Sequence, residues 1–246
     1  MKTLNNLKVQ HSCSDCELRS ESFFCKLPQY DLQLFESLKI TNGYPKGSTL
    51  FVEGQPSNGI YMLCQGRVKL STCSKDGKVV IIHIAEAGEL LGLAASVSGS
   101  PYEATAEVLE SCQVNFIRKD DFLNLLQHNP QLCFSAVKQI SHNYHKAFLQ
   151  ICSFGLSKSV ADKLAKLFLD WCKESDEMNG TIHLKISYTH EEIAAMIGTS
   201  RETVSRLLKD FKDRNLITLK SSHLIIHDKK RLEAMAGVDQ KIKRAL

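Results

Sequence analysis

Two polar helix starts separated by one glycine constrain this chain more than any other feature. Thr189 is followed three residues later by Glu192, and Thr199 by Glu202, the spacing at which a capping hydroxyl and an acidic side chain close a helix N-terminus reciprocally. Gly198 lies between them, where the first helix must end in a turn that needs positive φ. Counted from His190 as first position, Ala194 is fifth, Gly198 ninth, Val204 fifteenth and Leu207 eighteenth. A small residue lets two helices cross closely, and branched apolar residues bury the second helix on the first. That is the geometry of a helix-turn-helix.

The outward positions of the second helix carry Arg201, Glu202, Ser205 and Arg206, with Lys209 one turn on and Thr199 and Ser200 in the turn before it. Arg suits bidentate pairing with guanine, Glu accepts from cytosine N4, and Ser and Lys suit bases or phosphates. These seven residues are the candidate contacts to double-stranded DNA. Charge placement agrees: the net charge is only +4, yet from Arg201 onward there are 12 basic residues against 6 acidic, the local surplus that phosphate contacts use.

Upstream, short apolar runs are punctuated by Gly47, Gly54, Gly59, Gly66, Gly77, Gly88 and Gly92, the rhythm of a β-barrel or jelly roll. Ile60, Met62 and Cys64 alternate, then Val68 and Leu70. The run Val79 to Ile84 follows an Asp76-Gly77 turn, and Ala106, Val108, Cys112, Val114 and Phe116 supply closing strands. After Pro130 the period becomes helical. Cys133, Val137, Ile140, Tyr144, Ala147 and Ile151 form a coiled-coil seam that predicts a homodimer, while Leu132, Ala136, Phe148 and Leu149 form a second face for the helix's own domain. Phe154-Gly155 reads as a break and hinge. Val160, Leu164, Leu167, Phe168 and Trp171 then mark another amphipathic helix, Ser175 to Gly180 a loop, and Ile182, Leu184 and Ile186 and later Leu224 to Ile226 two strands of a winged helix-turn-helix.

The fold class is therefore α+β, in four parts: a cysteine-containing segment (1–28), a jelly-roll domain (29–128) that the resemblance given below makes the sensor, a dimerisation helix and hinge (129–155) and a winged helix-turn-helix (156–246). The start from Met1 to Ser12 is polar, and no run approaches the ~18 uncharged apolar residues of a membrane span. A cytoplasmic location is expected, with no membrane partner. No nucleophile–base pair, Walker loop or His-Glu metal motif is present, so no enzymatic activity is expected. The chain has 9 cysteines, an odd number in a compartment that keeps thiols reduced, so metal or redox use outranks disulfides. Cys13, Cys16 and Cys25 are clustered. The other six sit at positions that read as core.

The stretch GTSRETVSRLL from Gly198 to Leu208, followed by Asn215-Leu216-Ile217, resembles the cyclic-AMP receptor protein and fumarate-nitrate regulator (CRP/FNR) family. So do Lys46 to Phe51, Gly66 to Lys69, Ala87 to Gly92 and Asn129-Pro130. The resemblance implies a cyclic-nucleotide-binding-type jelly roll, base reading by Arg201, Glu202 and Arg206, a two-fold half-site with a guanine-adenine step, and RNA polymerase as a partner. Cyclic-nucleotide members hold the phosphate with an arginine in the loop that here reads from Ser98 to Thr105. No arginine occurs between Arg67 and Arg118, and a phosphodiester would meet Glu103, so cyclic-nucleotide control is not expected. Cys13-Ser-Asp-Cys16 and Cys25-Lys-Leu-Pro28 resemble the cluster-binding start of the fumarate-nitrate branch. Such thiolates can hold an iron–sulfur cluster or a zinc ion, and Cys13 with Cys16 can also act as a metal-free thiol switch. Asn115 stands where that branch has its fourth cysteine. Cys112, with the opposite strand parity, reads first as core and second as a ligand; Cys64 and Cys73 rank lower.

Overall fold

The computed structural model describes residues 9, 11–16, 24–157, 159–172, 177–178, 181–186, 188–220 and 223–237. The chain falls into two compact units, Met1–Lys146 and Ala147–Leu246.

The first unit opens with α1 (Gln29–Leu38), a helix the sequence pattern did not reveal, and continues into β1 (Ile40–Tyr44), β2 (Thr49–Phe51), β3 (Gly59–Gln65), β4 (Val68–Cys73), β5 (Val79–Ala85) and β6 (Leu90–Leu91). After α2 (Leu93–Ser98) come β7 (Thr105–Val108) and β8 (Cys112–Arg118). The strands form two antiparallel sheets ordered β1-β8-β3-β6 and β2-β7-β4-β5, the expected jelly roll.

β3 is buried on both faces, so its alternation separates two cores instead of core from water. Tyr61 and Leu63 point into the roll with Phe51, Tyr102 and Val114. Ile60 and Met62 point outward, where Phe24, Phe35, Phe122 and Leu132 cover them. Much of that cover is helical: α3 (Lys119–His128) starts before Pro130, earlier than the periodicity suggested, because its first turn is polar.

α4 (Pro130–Leu156) runs through Gly155, so the expected break at Phe154-Gly155 does not occur. One glycine in a helix costs only about 1 kcal/mol and does not by itself end it. Pro130 takes the first position, and Asn129 Oδ1 accepts the Leu132 N–H at 3.0 Å. The Asn129 amide also donates to the Asp31 carboxylate of α1, both side chains being buried. Leu132 and Ala136 face the outer core, as expected, and Ile140 packs partly against it. Of the expected seam, Cys133, Val137, Tyr144, Ala147 and Ile151 are exposed and Ile140 alone turns inward, with Val137 55%, Tyr144 72% and Ile151 70% exposed. Phe134 and Phe148 widen this exposed stripe. Phe148, assigned to the inner face by pattern, belongs to this stripe.

In the second unit, α5 (Val160–Trp171) starts with a capping box between Ser159 and Asp162. β9 (Glu177–Met178), β10 (Thr181–Lys185), β11 (Ile217–Lys220) and β12 (His223–Ile226) form an antiparallel sheet ordered β11-β12-β10-β9. The expected loop from Ser175 to Gly180 thus contains a paired strand at Glu177–Met178, and its other four residues lie outside the described residues. α6 (His190–Ile197), α7 (Arg201–Asp213) and α8 (Lys229–Met235) complete the winged helix-turn-helix. Its core joins Leu164, Phe168, Ile193, Val204, Phe211 and Leu224.

At Gly59 the backbone of β3 leaves no room for a side chain against β8. A Cβ there would lie 2.1 Å from the Ile117 carbonyl oxygen and 2.7 Å from the Phe116 ring. Gly59→Ala is expected to destabilise the first unit by about 1–3 kcal/mol in chemical denaturation. Wild-type stability would mean the strands separate there at no cost.

Candidate nucleic-acid interface and thiol site

The helix pair is locked by its caps. Thr189 N–H donates to Glu192 Oε2 at 2.7 Å and Glu192 N–H to Thr189 Oγ1 at 3.1 Å, the expected capping box. Gly198 ends α6 at φ 69°. The second box differs from expectation, for Ser200 and not Thr199 caps α7, its hydroxyl accepting the Thr203 N–H at 3.3 Å. Thr199 is committed to the other helix: its N–H donates to Ala194 O at 2.9 Å, closing the end of α6. Asn215 closes α7 at φ 53°, a conformation asparagine tolerates better than most residues.

α7 then has two sharply different faces. Val204, Leu208 and Phe211 are buried and Leu207 is half-buried, whereas Arg201, Glu202, Arg206 and Lys209 are exposed. Ser205 is half-buried, with its hydroxyl 2.9 Å from His190 Nδ1, so it ties α7 to the start of α6. His190 entered the sequence argument only as a counting origin. Nothing in the spacing shows that its ring reaches 15 residues along the chain. The Glu202 carboxyl is held below its ordinary range by its own backbone N–H, by Ser200 and by Arg201, so it stays an acceptor at neutral pH.

The cysteines separate into distinct environments. Lys39 Nζ lies 2.9 Å from Cys13 Sγ, and the Cys13 N–H donates to Glu36 Oε1 at 3.1 Å. Burial pushes the Cys13 thiol up, and the Lys39 ammonium pulls it back. Cys25 is buried in the outer-face core between Phe24 and Leu27, so this segment has more apolar anchorage than its polar composition suggested. Cys112 lies in the interior of the roll, the core position that strand parity favoured, away from the outer face. Asn115 does face outward; its Oδ1 accepts from Thr41 Oγ1 at 2.8 Å and its Nδ2 donates to Cys64 Sγ at 3.1 Å. Cys73 and Cys133 are exposed, contrary to the core reading. None of the nine cysteines is in a disulfide, and among the described residues no three His, Cys, Asp or Glu side chains are already gathered around a metal-sized point.

The interior of the roll is filled by aromatic rings. Phe51 stacks on Tyr102 at 4.1 Å, and Tyr61 packs on Phe51 at 5.4 Å and Phe116 at 4.9 Å. The Tyr102 hydroxyl donates toward Asn58 Oδ1 at 2.7 Å and Gly59 O at 2.9 Å, which pins the loop after α2 inward. Arg67, nearest in sequence to that loop on one side, is held by Glu110 at 3.1 Å.

Residues 42–129 match the family model described as cyclic nucleotide-binding domain, and residues 162–235 match the Crp-like helix-turn-helix domain. The cAMP-activated global transcriptional regulator CRP of Salmonella typhimurium is 27% identical over 203 residues, covering 81% of this chain and 96% of its own length. The c-di-GMP responsive global regulator CLP of Xanthomonas campestris superposes with a TM-score of 0.72 at 18% identity, over 82% of this chain and 100% of that one. A mutant of CooA from Carboxydothermus hydrogenoformans gives 0.72 at 22% identity, over 86% and 93% of the two chains.

The cap assignment is open to a direct check. Ser200→Ala is expected to cost the second unit about 1 kcal/mol of stability and Thr199→Ala much less, measured by thermal or urea unfolding. The reverse order would restore Thr199 as the cap.

Proposed function

Because the chain belongs to the CRP/FNR family of DNA-binding transcriptional regulators, we propose that it works as a homodimer reading a two-fold promoter site, under redox or oxygen control exerted through its N-terminal thiols. The observation that carries the DNA-reading part is the division of α7. Val204, Leu208 and Phe211 fix the helix on its own core, which leaves Arg201, Glu202, Arg206 and Lys209 exposed at its front and sides. Arg201 and Arg206 read guanine, Glu202 accepts from cytosine, and Lys209, Thr199 and Ser200 position the helix on phosphates. Ser205 contributes chiefly by holding the ring of His190. RNA polymerase is the downstream partner of such a regulator.

The aromatic filling of the roll and the lack of arginine between Arg67 and Arg118 argue against a cyclic nucleotide as the signal. The thiols are the better sensor. Cys13, Cys16 and Cys25 offer an all-sulfur donor set, which suits zinc or an iron–sulfur cluster and not a hard cation. A bound cluster would supply oxygen-labile chemistry at this point. Cys25 shares its core with Leu132 and Ala136 of α4, so a change at the thiols acts on the packing of the helix whose other face meets the partner copy.

In gel-shift or filter-binding assays, Arg201→Ala or Arg206→Ala is expected to lose about 1–3 kcal/mol on the specific site, with far less change on random DNA. Equal losses on both would make these arginines phosphate contacts only. Val137→Asp is expected to give folded monomers without operator affinity, by light scattering and binding. Ile140→Asp should instead destabilise the first unit, because Ile140 packs on its own core. A Val137→Asp protein that stays a tight dimer would remove the α4 stripe from the interface.

A further inference from the structure

We propose that Cys64 of β3 joins Cys13, Cys16 and Cys25 as the fourth sulfur of a thiophilic metal site on the outer face of the jelly roll. This deepens the sensor reading above and rests on it.

The backbone singles out Cys64 first. Leu63 pairs with Val114 and Gln65 with Gln113, so two steps along β3 match one step along β8 and Cys64 is the extra residue of a β-bulge. A bulge leaves its residue outside the ladder and re-aims its side chain, often beside a functional site. The Cys64 side chain packs on the outer-face core that also holds Cys25, whereas Cys112 faces the roll interior. Hydrogen bonds carry this face on to Cys13 and Cys16. The Asn115 amide that donates to Cys64 Sγ is bonded in turn to Thr41 near the start of β1, and Lys39, two residues earlier, touches Cys13 Sγ at 2.9 Å, while the Cys16 N–H donates to Cys13 O at 3.4 Å.

The groups around the four sulfurs are those a thiolate site needs. The Lys39 side chain is only 5% exposed, and its ammonium touches Cys13 Sγ at 2.9 Å. A cation in that place offsets the charge of several thiolates. The Asn115 amide donates to Cys64 Sγ at 3.1 Å, and Thr41 at 2.8 Å fixes the orientation of that amide. Such hydrogen bonds to sulfur orient and tune metal ligands. Protonated thiols have no reason to converge, and binding a cation displaces their protons and draws the sulfurs together.

The full-length chain, purified anaerobically and also reconstituted with zinc or with ferrous iron and sulfide, tests this. Wild type is expected to carry either one zinc without sulfide or iron with acid-labile sulfide and visible absorption; both support a thiolate site, and the analysis tells them apart. Cys64→Ser should lower metal retention at least about tenfold, as should Cys13→Ser, while Cys112→Ser is expected to retain the wild-type content. Circular dichroism confirms the fold of each variant. Independently of any substitution, alkylation mapped by mass spectrometry on wild type should show Cys13, Cys16, Cys25 and Cys64 gaining reactivity together when metal is removed, with the exposed Cys73 and Cys133 reactive throughout. Metal that survives Cys64→Ser, or Cys64 reactivity indifferent to metal removal while the other three respond, overturns the fourth ligand alone. A wild-type chain that takes up no metal under any of these conditions overturns the metal-sensor reading as well.

Discussion

The pairing of β3 with β8 is the constraint on which the first unit depends. Both strands are buried on each face, and Gly59 lets their backbones approach closely. One face of the pair closes the roll over an aromatic interior; the other is a platform for Phe24, α1, α3 and the inner side of α4. Each large side chain removed from water on such a surface contributes about 1.5–3 kcal/mol. The platform therefore holds Cys25 and the first turns of α4, through Leu132 and Ala136, in one core.

The polar groups on that platform are few and each is held. Asn129 bridges the cap of α4 and the carboxylate of Asp31, Asn115 bridges Thr41 and Cys64, and Lys39 bridges Glu36 and Cys13. Buried polar groups left without partners are costly, so satisfied bridges of this kind fix the relative placement of α1, β1, β8 and α4. Among the described residues no buried side-chain nitrogen or oxygen lacks a partner.

The DNA-binding unit uses the opposite strategy. Its charged residues stay at the surface of α7, and its rigidity comes from caps and from the Phe168–Phe211 contact, an edge-on pair at 6.3 Å. Exposed side chains on a helix already fixed by its core lose little backbone entropy on binding a partner. Ser205 and His190 show that even one apparently free polar position serves the packing of the two helices.

The sequence by itself determined the parts that rest on local chemistry. Thr189, Gly198 and the period of Val204 to Phe211 specify two helices and a turn through backbone groups only a few residues apart, and glycine spacing specifies the strand rhythm of the roll. The tertiary structure decided what depends on residues far apart in the chain. Thr199 is spent on α6, so Ser200 caps α7; Ile140 leaves the exposed stripe of α4 because it finds a partner on the outer core; Gly155 is carried within α4. The thiol site shows the same division most plainly. Spacing exposes Cys13, Cys16 and Cys25, but strand alternation cannot show that a bulge sets Cys64 against the outer-face core that holds Cys25 while Cys112 closes into the roll, because a bulge is a property of two paired strands and not of either sequence alone.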